Sequence, residues 1–222
     1  MLSSAKIGRS SWRYYQRTVA GGACEYYSEH GDTPGRWHGS GLEPLGLTAG
    51  AEVQERELEA LFGRALSPTT GAALGSAWRT DAVTGYDLTF SAPKSVSTLW
   101  TLGDTQTGEM VAAAHDAAVK AALGYLERHA SLSRRGRDGV EQVASAGFAA
   151  ALFDHRTSRT GDPQLHTHAL VVNKVRCIDG AWRTLDGHEI FHHKKAAGVI
   201  YQAALRAELT AALPLAFGPV SE

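Results

Sequence analysis

Apolar and polar positions alternate with a period of two from Tyr86 to Ser91. Tyr86, Leu88 and Phe90 fall on one side, and Asp87, Thr89 and Ser91 on the other, as in a strand with one buried face. Ser91-Ala92-Pro93-Lys94 then predicts a helix start, with Pro93 in the first turn and Ser91 or Ala92 near the cap. A helical period places Val53, Leu58, Leu61, Phe62 and Leu66 together over Glu52–Leu66, and Val111, Ala114, Ala118, Ala122 and Tyr125 over Glu109–Ala130. Lys194–Leu213 predicts a last helix that stops at Pro214. Val143–Phe153 and Leu165–Cys177 read as strands joined by the polar connection Asp154–Gln164, and Asp179-Gly180 marks a turn before Trp182–Leu185. Ser28–Gly50 is rich in turn residues, Gly71–Gly85 is irregular, and Ser133–Gly139 reads as a basic turn. Met1–Gln16 leads into a tyrosine-rich segment. With no internal repeat or low-complexity linker, residues 1–222 are expected to form one domain, and the irregular order of strands and helices predicts an α+β fold.

Composition narrows the function. The 222 residues are 43% hydrophobic and 20% charged, enough apolar content to bury a core. Lys+Arg number 22 against 23 Asp+Glu, a formal net charge of -1 that argues against non-specific coating of nucleic acid and leaves room for a local groove. Two cysteines, Cys24 and Cys177, cannot build a disulfide scaffold, so a reducing compartment is expected. No apolar run approaches the ~20 residues of a membrane span, and Met1–Ser11 lacks a signal-peptide core. A cytoplasmic globular domain is expected.

Three of the ten histidines are arranged unusually. His166 and His168 bracket Thr167 in a strand-like run, so their imidazoles project from one face, and His155 lies across the polar connection. If the two strands pair as a hairpin, three neutral imidazoles converge in a divalent-metal site with a position open for chemistry. Chance clustering is the alternative on spacing alone. The remaining histidines (His30, His38, His115, His129, His188, His192 and His193) carry no such geometry and are expected to be solvated or capping groups. Tyrosine pairs such as Tyr14-Tyr15 and Tyr26-Tyr27 ordinarily anchor a core, but a phenol helped by a base or a metal field can also be a nucleophile that stores a phosphodiester bond without ATP. Asp87, on the polar side of its strand, needs a partner if buried, and a histidine or a phenol would serve.

Several blocks resemble the MobF-type conjugative relaxases, the TrwC/TraI-like members of the HUH endonuclease superfamily. The opening Met1-Leu2-Ser3 with the doubled tyrosines, Trp37-His38-Gly39-Ser40-Gly41 and Leu45-Gly46-Leu47 are similar to that family. The most specific blocks are Asp87 to Ser97 and Asp162-Pro163-Gln164-Leu165-His166-Thr167-His168, continuing to Asn173, with Asp179 to Leu185 a further match. The resemblance runs from Met1 to about Leu213.

It implies a central antiparallel β-sheet flanked by helices, with one divalent ion (Mg, Mn or Zn) on the sheet held by His155, His166 and His168. Tyr14 matches the first nucleophile and Tyr26 the second, with Tyr15 and Tyr27 as their neighbours, and Asp87 matches the acid that orients a metal histidine and helps deprotonate the tyrosine. The implied activity is nicking and rejoining of single-stranded DNA at an origin of transfer, beside a hairpin, by a monomer working with relaxosome accessory and coupling proteins and transferred with the DNA. Arg79, Lys94, Arg156, Arg159, Lys194 and Lys195 are candidates for phosphate contact, each with a solvated surface role as the alternative. Trp12, Trp37 and Trp78 could stack on bases or pack in the core.

Three features depart from the family pattern. Thr167 stands where the wider HUH class commonly has a bulky apolar residue, Ala20-Gly21-Gly22-Ala23 adds small residues between the tyrosine pairs, and residues 1–222 are expected to lack the family's C-terminal extension and helicase, with no phosphate-loop motif present. A rolling-circle replication nuclease fits less well because its tyrosine usually follows the histidines. A 2H phosphoesterase would need a second His-x-Thr/Ser repeat that is not evident. A non-catalytic origin or hairpin DNA-binding module is the alternative from another class.

Overall fold

The computed structural model describes residues 1–14, 34–158 and 160–218. Tyr15, Tyr26, Tyr27 and Arg159 lie outside the described residues. The α+β expectation holds. A five-stranded sheet has the order β1-β3-β7-β6-β2, with β1 Leu2–Ile7, β2 Arg36–His38, β3 Gly85–Ser91, β6 Ala150–Thr157 and β7 Pro163–Val172, every neighbour antiparallel. Two small ribbons accompany it, β4 Leu132–Arg135 with β5 Glu141–Ala144, and β8 Val175–Arg176 with β9 Trp182–Arg183.

The period-two pattern divides the sheet into two faces. Tyr86, Leu88 and Phe90 of β3, Ala150 and Leu152 of β6, and Ala169 and Val171 of β7 pack beneath the helices α2 Lys94–Leu102, α3 Thr105–Ala130 and α4 Gly187–Ala212. On the opposite face, Ile7, Ala151, Phe153, Leu170 and Val172 pack with Trp12, Trp37, Leu45 and the helical segment carrying Leu58, Leu61 and Phe62. That segment is a four-residue α-turn, α1 Glu55–Leu58, widening into a π-turn over Glu59–Arg64. So short a helix cannot nucleate alone. Three buried side chains, each worth ~1.5–3 kcal/mol, hold it against the sheet. Glu57 helps from the other side, accepting hydrogen bonds from the Gln54 backbone at 3.0 Å and from Trp37 Nε1 at 2.7 Å.

Several boundaries differ from the sequence expectation. Strand β1 emerges from Met1–Gln16, α3 begins four residues early behind an Asp104 cap, and Pro93 is itself the cap of α2. The expected basic turn Ser133–Gly139 is a hairpin stabilised by Arg135 on Glu141, at 2.6 and 2.8 Å. The expected strand Val143–Phe153 is broken into β5 and β6 by a bend at Gly147, whose φ of 107° belongs to the region that favours glycine. A Cβ at Gly147 would also run into Ser40 Oγ and lie 2.8 Å from Glu127 Oε1. Gly147→Ala is therefore expected to destabilise the fold by ~1–3 kcal/mol, read as a lower urea midpoint at unchanged m-value.

Trp12 and Trp37 are each 1% exposed and belong to the core, which corrects the base-stacking option for both. No helix among the described residues is long and apolar enough to cross a membrane.

Candidate metal centre

The β6–β7 hairpin sets the geometry. His155 is the cross-strand partner of His166, and His168 faces Phe153 on one side and Thr89 of β3 on the other. Strand β6 continues through His155 to Thr157, so the imidazole sits within the strand rather than past its end. All three rings project from the face opposite α2, α3 and α4. Their centroids form a near-equilateral triangle of 5.1, 4.9 and 5.2 Å, and one nitrogen from each ring lies within 4.8 Å of the others.

Hydrogen bonds select which nitrogen each ring presents. His168 Nδ1 lies 3.0 and 2.9 Å from the two oxygens of Asp87, with Thr89 Oγ1 at 3.2 Å. A carboxylate accepts only, so Nδ1 carries the proton and Nε2 is the ligand atom. His166 Nδ1 donates to the Gln164 carbonyl at 2.9 Å, again leaving Nε2 as the ligand atom. His155 Nε2 is buried and has no hydrogen-bond partner. An orphaned imidazole nitrogen beside two oriented ones, one of them backed by a carboxylate, fits a bound cation. Burial, with the neighbouring imidazoles, drives His155 down to about 4, and burial also lowers His166, so both are neutral and able to ligate at pH 7.

Asp87 is 5% exposed and spans His168 and Thr89, the partnering that its place on the polar side of β3 requires. Trp12, Arg13 and Tyr14 lie in a helical turn, the Tyr14 backbone N–H bonded to the Ser11 carbonyl at 3.2 Å. Trp12 roots that turn in the core beneath the metal face, while Tyr14 is 55% exposed.

The candidate phosphate contacts are dispersed. Lys94, three residues after the end of β3, donates to the Pro163 carbonyl at 3.1 Å and lies at the triad end of the sheet. Arg79 is exposed, 3.8 Å from Asp81. Arg156 alternates with His155, and its guanidinium lies 5.6 Å over the Trp100 ring of α2, on the helical face. Lys194 and Lys195 are on α4, which packs on that same face.

The sequence reading missed His115. It is 2% exposed on the buried side of α3, which corrects its expected place among the solvated or capping histidines. The signal was present, since Val111, Ala114, Ala118 and Val119 surround it at helical spacing. Burial drives its imidazole down to about 4, against ~6.5 in an unfolded chain. The unfolded state therefore binds the proton more readily between these values, and the stability that neutral His115 contributes is full above ~6.5 and lost as pH falls toward 4. The urea midpoint is expected to drop between pH 7 and pH 5, and His115→Phe is expected to flatten that slope.

A family model described as TrwC relaxase matches residues 9–221. The multifunctional conjugation protein TraI of Escherichia coli is 35% identical over 212 residues, and that of strain K12 is 34% identical. Each match covers 86% of this chain but 11% of the relative, so the chain spans about a ninth of the length of those proteins. Among solved structures, the conjugative relaxase TrwC in a copper-bound complex with oriT DNA superposes with a TM-score of 0.78 at 35% identity, covering 95% of this chain and 70% of that one. TrwC with a 27-mer DNA comprising the recognition hairpin and the cleavage site gives a TM-score of 0.72 at 34% identity, covering 95% and 69%.

Proposed function

The chain belongs to the TrwC relaxase family, and on that premise we propose that residues 1–222 are a conjugative relaxase unit that nicks and rejoins one DNA strand at an origin of transfer. The observation that carries the reading is the convergence of His155, His166 and His168 on one point, with Asp87 fixing His168 from behind. Their nitrogens would hold one divalent ion, magnesium, manganese or zinc. When bound, that ion supplies Lewis acidity toward the non-bridging oxygens of the scissile phosphate.

The protein's own groups do the rest. Tyr14 is the nucleophile. A protonated phenol is a weak nucleophile, so its proton must pass to a base as the bond forms, and Asp87 is the carboxylate of the site. The Tyr14 oxygen attacks phosphorus in line, the bond from phosphorus to the 3′ oxygen breaks, and that oxygen takes up the proton that Asp87 received and leaves as a 3′-hydroxyl. The 5′-phosphotyrosyl product retains one phosphodiester bond for the one broken, so a later 3′-hydroxyl reverses the step without ATP. Tyr26 serves a second transfer, with Tyr15 and Tyr27 as neighbours of the two nucleophiles.

With a net charge of -1, affinity for DNA comes from placed cations. Lys94 lies at the triad end of the sheet and serves phosphates near the triad, while Arg79, Arg156, Arg159, Lys194 and Lys195 are the candidates for the other strand and hairpin phosphates. The substrate is single-stranded DNA beside a hairpin, and the unit acts as a monomer in the bacterial cytoplasm, with accessory and coupling proteins, before passing with the DNA.

The test uses a labelled origin oligonucleotide with Mg2+ or Mn2+ on native and denaturing gels. Cleaved product together with a covalent protein–DNA adduct supports the reading. A native shift with no cleaved or attached product overturns it and leaves a DNA-binding module.

A further inference from the structure

We propose that Thr167 and His115 are positioning residues for the metal ligands, acting through a hydrogen-bonded chain, buried at its α4 end and half-buried at β2, that runs behind the triad. The proposal rests on the metal-binding reading above. Strands β6 and β7 carry the three histidines on one face. On the other, Thr167 lies between His166 and His168, and Asp154 precedes His155. Thr167 and Asp154 are cross-strand partners, so the residues alternating with the ligands meet each other.

The chemistry of the groups gives every proton in the chain one direction. The Thr167 hydroxyl lies 2.6 Å from Asp154 Oδ1, and because a carboxylate only accepts, the hydroxyl donates. Thr167 Oγ1 must then accept from His115 Nε2–H at 2.9 Å. His115 is neutral in its buried setting, so Nδ1 bears no proton and accepts from the Tyr201 hydroxyl at 2.8 Å. At the far end, Asp154 Oδ2 accepts from Arg36 Nη1. Arg36 Nη2 donates to Asp116 at 2.5 Å, and Asp116 also holds Lys120 at 2.7 Å. Two helices and three strands thereby meet in one chain whose donors converge on Asp154 from both sides.

Position gives this path its consequence. Immediately beyond His155 the pairing of β6 with β7 becomes irregular, between His155 and Thr157. The register of the hairpin is thus least constrained by backbone hydrogen bonds where the ligands need it most, and a one-residue slip would turn a histidine to the wrong face. The bond between Thr167 and Asp154 pins the register one residue short of that irregularity. An apolar side chain at position 167 would fill the same space but deprive half-buried Asp154 Oδ1 and buried His115 Nε2 of their partner. Thr167, the departure from the bulky apolar pattern, is therefore explained by the polar groups behind it.

The experiment titrates Co2+ alone into metal-free protein, following heat and the visible absorption of the bound ion. Thr167→Val is expected to weaken Co2+ binding ~10-fold or more and to alter the spectrum, while Thr167→Ser, which keeps the hydroxyl, stays within ~3-fold of wild type, by analogy with the loss of other outer partners of metal ligands. His115→Phe, which removes the donor to Thr167, is expected to behave like the valine variant and provides the test if that variant does not fold. If wild type binds Co2+ and a folded valine or phenylalanine variant binds it equally well with the same spectrum, the positioning role is overturned and the metal centre stands. If wild type takes up no Co2+, the metal reading itself falls, and this inference with it.

Discussion

Tyr14→Phe is expected to form no covalent adduct with a labelled origin oligonucleotide in Mg2+ or Mn2+, while binding that oligonucleotide as tightly as the wild type does. The substitution removes a single oxygen, the one assigned to attack phosphorus, and keeps the ring. Tyr14 is 55% exposed, and the turn that carries it is anchored by Trp12, which is 1% exposed. The melting temperature should therefore not move. Loss of the nucleophile is expected to lower adduct formation at least ~10³-fold, which corresponds to ~4 kcal/mol of transition-state stabilisation. The readout is the slow-migrating band on a denaturing gel, with a native gel reporting binding. An undiminished adduct would remove Tyr14 from the role and pass it to Tyr15, Tyr26 or Tyr27.

The parts of the fold legible in the sequence are those whose own side chains enforce the pattern. Tyr86, Leu88 and Phe90 alternate cleanly because each enters the core beneath the helices. The pair His166 and His168 is equally plain, since period-two geometry alone puts both rings on one face. Strand β1 is not legible. Leu2-Ser3-Ser4-Ala5-Lys6-Ile7 has little alternation, and its conformation comes from hydrogen bonding to β3 along its whole length. His155 looks like the start of a loop because Asp154, Arg156 and Thr157 around it are polar, yet these residues remain in the strand. Their polarity is what the site and the path behind it require, so a functional strand end carries the composition of a connection. The first turns of α4 are hidden in the same way by a histidine-rich run. Asp186 and Glu189 nevertheless stand at capping spacing, and Asp186 accepts from the His188 backbone at 3.2 Å. The path through His115 is the least legible feature, because its members are scattered from Arg36 to Tyr201 and only the fold brings them into line.

His166→Ala is expected to reduce cleavage as completely as chelation of the metal does, and to leave oligonucleotide binding largely in place. Its Nε2 is one of three nitrogens available to an ion, and His166 Nδ1 is already committed to the Gln164 carbonyl. Loss of an outer partner typically costs a metal site ~10–100-fold in affinity, and loss of a direct ligand from so small a set should exceed that. The effect on stability should be slight or even favourable without metal, because three imidazoles with centroids 4.9 to 5.2 Å apart crowd one another and His155 Nε2 has no partner. That opposition separates a ligand from a structural residue: a structural histidine would lower the melting temperature and the activity together. Metal titration by calorimetry, melting in EDTA and the cleavage gel measure the three quantities independently. A His166→Ala protein that cleaves at the wild-type rate with metal present would take the triad out of the chemistry, whatever its melting temperature.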